Sequence, residues 1–199
     1  MTTDQAIWAK FHIKRGDILP YTGWAGSRNQ LAELFGELNF NVGAEIGVYE
    51  GEFSEVLLTS NSRLQLSCID SWASYHHAGH TTQDAEQEAH YQIAAKRLAK
   101  YPGAKILRMP SLEAVKQITD NSLDFVYIDA LHEFDPVIVD IIHWAPKVRP
   151  GGIVSGHDYC HAYLHGVVHA VDTYVRGHNI LSWYLTIKDR WPSWLWVKQ

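Results

Sequence analysis

Cysteine is scarce in this chain: Cys68 and Cys160 are the two in 199 residues. They cannot supply a disulfide framework, so a reducing, cytoplasmic setting is expected. No run of apolar residues is long enough to cross a bilayer, which argues against a membrane partner. Met1-Thr2-Thr3-Asp4-Gln5 lacks the basic-then-apolar order of a secretory leader. Runs of Lys and Arg are missing too. With a formal net charge of −5, the chain offers no general attraction for a phosphate backbone, and nucleic acid is not an expected partner. There is no internal repeat and no low-complexity stretch.

What is present describes an ordinary globular chain, 46% hydrophobic and 20% charged, long enough for one domain with a sizeable core. Twelve histidines and eight tryptophans stand out. Residues 1–26 mix aromatics, Gly16, Pro20 and charges without periodicity and are expected to form an N-terminal arm or lid. From Ser27, a plausible N-cap, Leu31, Leu34, Phe35 and Leu38 repeat at helical spacing. Thereafter short apolar runs alternate with helix-like stretches. Strands are expected near 42–47, 64–70, 104–108, 123–129 and 152–157. Helices are expected near 52–58, 82–100, from 111, 136–144 and 166–176. Two β-rich stretches, 180–187 and 191–197, close the chain through Lys188-Asp189-Arg190. Such a succession predicts an α/β, doubly wound, Rossmann-like sheet over residues 27–199. It is mostly parallel and seven-stranded, with an antiparallel last strand and helices on both faces. Ligands of such sheets bind beyond the strands' carboxyl ends, where strand order switches.

The first of these strands runs into Glu45-Ile46-Gly47-Val48-Tyr49-Glu50-Gly51. A dinucleotide site would need G-x-G-x-x-G here. Instead the glycines are spaced G-x-x-x-G, and Glu50 and Glu52 crowd the turn. A carboxylate-rich turn repels pyrophosphate and suits a cation such as S-adenosylmethionine, which carries a sulfonium and an ammonium. The second strand ends Asp70-Ser71-Trp72: the acid is placed to accept both ribose hydroxyls, and Trp72 to lie against adenine. Ser111, opening the helix after the third strand, is placed to reach the adenine edge. Each residue alone could be a cap or a turn; their fall at successive strand ends makes the pattern.

The segments AEIGVYEGEFSE, CIDSW and LDFVYIDALHEFDPVIVDIIHWAPKVRPGGIVSGHDY, with GVVHAVDTYV and WPSWLWVK, together resemble the class I S-adenosylmethionine-dependent methyltransferases. They are most similar to the branch that methylates hydroxyls of small molecules and sugars. The resemblance runs from about Ser27 to the C-terminus. It implies an acidic glycine turn around the cofactor's methionine moiety (Glu45, Gly47, Gly51, with Val48 and Tyr49 between) and Asp70-Ser71 at the ribose. Asp129 joins this cofactor set and also ends the fourth strand on the acceptor side. A small-molecule or glycan acceptor is implied, and self-association is left open. Methyl transfer to nitrogen or a protein side chain, or cofactor binding without catalysis, are the competing readings.

Metal-dependent relatives place three oxygen ligands where Asp129 and Asp158 stand. Here His157 replaces one, which moves the expected ion from Mg²⁺ toward Mn²⁺. The competing reading makes these a helix-capping and a substrate-contacting acid. His132, three residues after Asp129, stands where the resembling family has a histidine and is the expected general base. His157 is its rival, and an ion at Asp129 and Asp158 the alternative to both. His157, His161, His165 and His169 recur every fourth residue, and His76, His77 and His80 cluster after the second strand. Both groups read as loop histidines lining a pocket rather than a zinc site. Trp183, Trp191, Trp194 and Trp196 read as core and edge packing, Cys68 as an apolar strand residue and Cys160 as a loop thiol.

Overall fold

The computed structural model describes residues 1–13, 21–23, 26–77, 80–160 and 165–199. The helices are α1 (Thr3–Phe11), α2 (Arg28–Glu37), α3 (Glu52–Ser60), α4 (Asp84–Leu98), α5 (Ser111–Ala114), α6 (Phe134–Trp144) and α7 (His165–Gly177). Strands β1 (Tyr21–Gly23), β2 (Val42–Ile46), β3 (Gln65–Asp70), β6 (Ala104–Arg108), β7 (Leu123–Ile128), β8 (Val148–Gly156), β9 (Trp183–Thr186) and β10 (Trp194–Val197) share one sheet. A separate ribbon pairs β4 (His76–His77) with β5 (His80–Thr81).

The order across the main sheet is β1-β9-β10-β8-β7-β2-β3-β6. All seven expected strands are there. β10 runs antiparallel to both neighbours and lies between β8 and β9, two places inside the sheet's edge. The eighth strand, β1, adds to that edge by pairing parallel with β9. It comes from the segment expected to be an arm, and so does α1, whose Ala6, Ile7 and Phe11 are buried in the main core. Trp8 Nε1 donates to the Tyr184 hydroxyl at 2.9 Å, and that hydroxyl donates to Asp4 at 2.5 Å. The remainder of the expected arm, 14–20 and 24–25, lies outside the described residues, as does His161. Among the described residues no helix is long and apolar enough to cross a membrane.

Side chains alternate across the sheet as strand geometry requires. Phe125, Tyr127, Leu195 and Val197 join the core under α1, α2, α3 and α4. Val126, Ile128, Trp194 and Trp196 join the core under α5, α6 and α7. Trp194 and Trp196 stack with centroids 5.3 Å apart, and Trp183, Trp194 and Trp196 are all buried.

Strand order reverses between β2 and β7, because the chain goes from β2 outward to β3 and β6 before returning to β7. The carboxyl ends of β2 and β7 meet there without room to spare. Gly47 has φ +89°, and a Cβ on it would lie 2.1 Å from the Asp129 carbonyl oxygen. On the other side of β7, the ring of Trp194 packs against Gly156, where a Cβ would fall 2.3 Å from the indole. Because Trp194 is fully buried, Trp194→Ala is expected to lower unfolding free energy by about 3–5 kcal/mol. Chemical denaturation with an unchanged m-value would register this.

Candidate active site

The turn after β2 is held by one carboxylate. Asp70 Oδ2 accepts from the backbone N–H groups of Val48 and Tyr49, each at 3.0 Å. Its Oδ1 accepts from the Trp72 N–H at 2.9 Å. Tyr49 and Trp72 have positive φ (53° and 43°), an uncommon conformation for side chains of this size, and the Asp70 bonds secure both. Gly51, φ 76°, is the N-cap of α3. Ser71 accepts from the Ala73 N–H at 3.3 Å. Asp70 and the turn are therefore where a ribose and a methionine moiety were expected, and the turn's shape depends on the acid.

Three members of the expected cofactor set are oriented otherwise. Trp72 was expected against adenine. It is 3% exposed, inside the core, with its ring edge against Tyr91 and its Nε1 donating to the Tyr49 carbonyl at 2.9 Å. The indole braces the turn and has no open face to give a base. Ser111 was expected at the adenine edge; its hydroxyl instead donates to Asp140 and accepts from Trp144 Nε1 at 2.8 Å, tying α5 to α6. Glu45 accepts from the Ser54 hydroxyl and is buried, at 2% exposure. Burial pushes its pKa to about 8, against the lowering effect of Ser54, so the carboxyl is largely protonated at neutral pH instead of forming a negative wall.

Across the switch point, Asp129, His132, His157 and Asp158 converge. His132 Nε2 lies 3.0 Å from Asp158 Oδ2 and 3.9 Å from Asp129 Oδ1. His157 Nδ1 lies 3.1 Å from Asp158 Oδ1 and 3.9 Å from Asp129 Oδ1. Asp158 thus uses one oxygen for each imidazole, and it does so from a backbone with φ 60°. Burial would raise its pKa, yet hydrogen bonds from His132 and His157 hold the carboxyl well below the ordinary range. For His132, burial opposes the charge, but Asp129 and Asp158 raise the pKa to about 9. That setting favours the imidazolium over the neutral imidazole expected there. At neutral pH His132 carries its proton between two acids and is unsuited to taking another.

The four residues floor a cavity of about 580 Å³ whose remaining wall is Arg28, Asp189, Arg190 and Trp191. None of this wall was expected. Asp189 and Arg190 read as turn residues, and Trp191 as packing; the turn between β9 and β10 brings them over the floor. Arg28 arrives from the start of α2, where the Asp189 carboxylate accepts from its backbone N–H at 2.6 Å. Asp129, His132 and Asp158 also place potential ligand atoms within 4.8 Å of one another, the one group of this kind among the described residues. Of the periodic histidines, His157 lies beside this group and His161 lies outside the described residues. His165 and His169 lie on α7, while His76, whose Nδ1 is 2.8 Å from the Thr81 hydroxyl, sits on β4.

Residues 44–159 match the family model described as a methyltransferase domain. Over 118 residues, 57% of the chain, the sequence is 25% identical to the uncharacterized protein y4gI of Sinorhizobium fredii, and it covers 12% of that far longer relative. A Klebsiella pneumoniae protein described as an O-methyltransferase superposes with TM-score 0.61 at 16% identity, covering 99% of this chain and 90% of its own. The O-methyltransferase of Bacillus cereus in complex with SAH gives 0.62 at 14% identity, covering 98% and 90%. The SAH-bound methyltransferase of Podospora anserina gives 0.62 at 13% identity, covering 86% and 78%. At such identities the likeness is one of fold.

The buried Glu45 has a measurable consequence. Its folded pKa of about 8 lies above the ordinary value of 4.5, so the folded state holds a proton that the unfolded state releases. Its contribution is complete below the lower value and fades as pH rises through the higher one. In that window stability is expected to fall by about 1.4 kcal/mol per pH unit from this group. Glu45→Gln is expected to flatten that slope, as read by urea unfolding at a series of pH values. An unaltered slope would show that Glu45 ionises normally.

Proposed function

The chain belongs to the methyltransferase-domain family, the class I S-adenosylmethionine-dependent enzymes, and from that premise we propose that it methylates a hydroxyl of a small molecule or sugar. One observation carries this reading: an acid-and-histidine floor at the end of β7 and β8 lies directly across the switch point from the Asp70-held turn. A cofactor and an acceptor would meet between them.

The residues suit a cationic nucleoside. Asp70 Oδ1 accepts a single backbone bond, and a carboxylate oxygen takes about two, so one position is left for a ribose hydroxyl. The bound cofactor supplies a methyl group made electrophilic by its sulfonium. The protein must orient the acceptor hydroxyl and take its proton, which water at neutral pH does poorly. Among the candidates, His157 suits the task best. With its Nδ1–H donated to Asp158, its Nε2 holds a lone pair, the arrangement of a base fixed by an acid. His132, as an imidazolium, offsets the charge of Asp129 and Asp158 and keeps Asp158 in place. Asp129 then lies nearest the reacting centre as a fixed negative charge beside a cation.

A second reading rests on the clustered ligand atoms of Asp129, His132 and Asp158. Two carboxylates with an imidazole fit Mn²⁺ better than Mg²⁺, which prefers an all-oxygen octahedron. A divalent ion held there would lower the pKa of the acceptor hydroxyl.

Calorimetry is expected to show SAH binding at micromolar level, on the order of −8 kcal/mol, with Asp70→Ala weakening it by about 1–3 kcal/mol. Absence of binding by the wild type would end the cofactor assignment. With labelled cofactor and a panel of hydroxylated acceptors, His157→Ala is expected to lower kcat about a hundredfold or more, the scale of general-base help. Full activity in His157→Ala, together with its loss on adding a chelator, would favour the ion at Asp129 and Asp158 instead.

A further inference from the structure

The cavity beside the proposed methyl-transfer centre is dipolar. Two of its carboxylates are already answered, Asp158 on the floor by His132 and His157 and Asp189 on the wall by the first turn of α2, while Asp129 on the floor has its ion-pair partners at 3.9 Å. The two guanidinium groups on the wall are not answered to the same degree. Among the described residues, Arg28 reaches one lining carboxylate, Asp129 Oδ2, at 3.9 Å, beyond hydrogen-bond length, and its side chain remains 35% exposed. Arg190 is exposed, lies 5.0 Å from the centroid of the Trp191 ring and meets no carboxylate among the described residues.

A guanidinium offers a planar fork of donors that matches the oxygens of a carboxylate or phosphate. An indole beside it supplies a flat apolar surface. Two such forks at the mouth, above a floor that handles a hydroxyl proton, describe one kind of occupant. Resting on the methyltransferase reading, we propose that the acceptor is an anionic hydroxy compound. Its hydroxyl sits at the Asp/His floor and its carboxylate or phosphate between Arg28 and Arg190, with Trp191 against its flat part.

The cofactor's own carboxylate is the rival occupant. Position in the sheet argues against it for Arg190. Strand β9, which leads into the Arg190 turn, lies four places from β2, roughly 19 Å at the usual strand spacing. The turn after β2 is where the methionine moiety is expected.

Because the natural acceptor is unidentified, the probes are benzoate, phenyl phosphate and the uncharged benzamide. They are titrated into the full chain labelled at its tryptophan indoles, with the Trp191 signal assigned by Trp191→Phe. Either anion is expected to shift the Trp191 N–H at about tenfold lower concentration than benzamide, the scale of a charge-assisted pair. The shift should persist with SAH at saturation, and Arg190→Gln should abolish the preference. The stronger of the two anions identifies a carboxylate or a phosphate as the recognised group. No shift with either anion, an equal response to benzamide, or a preference surviving in Arg190→Gln would overturn the proposal. Loss of anion binding when SAH is added would overturn it as well, assigning the guanidinium groups to the cofactor. SAH titrated alone into the wild type tests the methyltransferase reading separately, since the anion experiment reads with or without it.

Discussion

Everything at the centre of this molecule hangs on how closely β2 and β7 approach at their carboxyl ends. Gly47 passes so near the Asp129 carbonyl that no side chain could stand between them. Its N–H bonds to Ile69 at 2.9 Å while the Asp129 N–H bonds to Ile46 at 2.7 Å. The sheet's hydrogen bonding therefore continues past the last assigned residue of each strand, right to the point where the chain turns away. A larger residue would wedge the two ends apart. That would move Asp129, and with it the pairing that sets the charges of His132 and Asp158. Sterics at a single glycine and the electrostatics of the floor are thus one problem, solved once by the backbone.

Much of this was legible in the sequence, and the parts that were not share a cause. Strands β2, β3, β6, β7 and β8 announced themselves as short apolar runs, and Ser27 as a cap, because those signals are local. Helix α1 was missed: among its buried Ala6, Ile7 and Phe11 a single pair, Ile7 and Phe11, stands at i, i+4, too short a pattern to mark a helical face. Thr2 and Gln5 did carry the signature of a capping box, which the structure contains. For Trp72 and Ser111 the position at a strand end was right and the direction of the side chain was not. Strand ends are equally good places to brace a turn or to meet a ligand, and only the surrounding packing decides. Arg28, Asp189, Arg190 and Trp191 have no common motif, being joined across some 160 residues by the hydrogen bond from the Arg28 backbone to Asp189.

The two halves of the site also divide their electrostatics. On the β2 side, Glu45 is buried deeply enough to be largely uncharged at neutral pH, and Asp70 spends most of its acceptor capacity on backbone N–H groups. On the β7 and β8 side, two acids share two imidazoles. On the floor of the site the loosely paired charge is Asp129, whose ion-pair distances to Arg28, His132 and His157 are all 3.9 Å. A loosely held charge on a rigid strand end costs little to keep in place and is available to whatever cation arrives beside it.

The placement of β10 has a bearing on how the chain must be made. Because Trp194–Val197 lies between β8 and β9, those two strands have no bond to each other and must wait for residues 194–197 to arrive. Until then each exposes a row of unpaired backbone groups, and a nascent or truncated chain carries two sticky edges beyond those at β1 and β6. The sheet is consequently joined across this gap by β10 alone. A ribosome that stalls before residue 194 would release a product primed to pair with its neighbours.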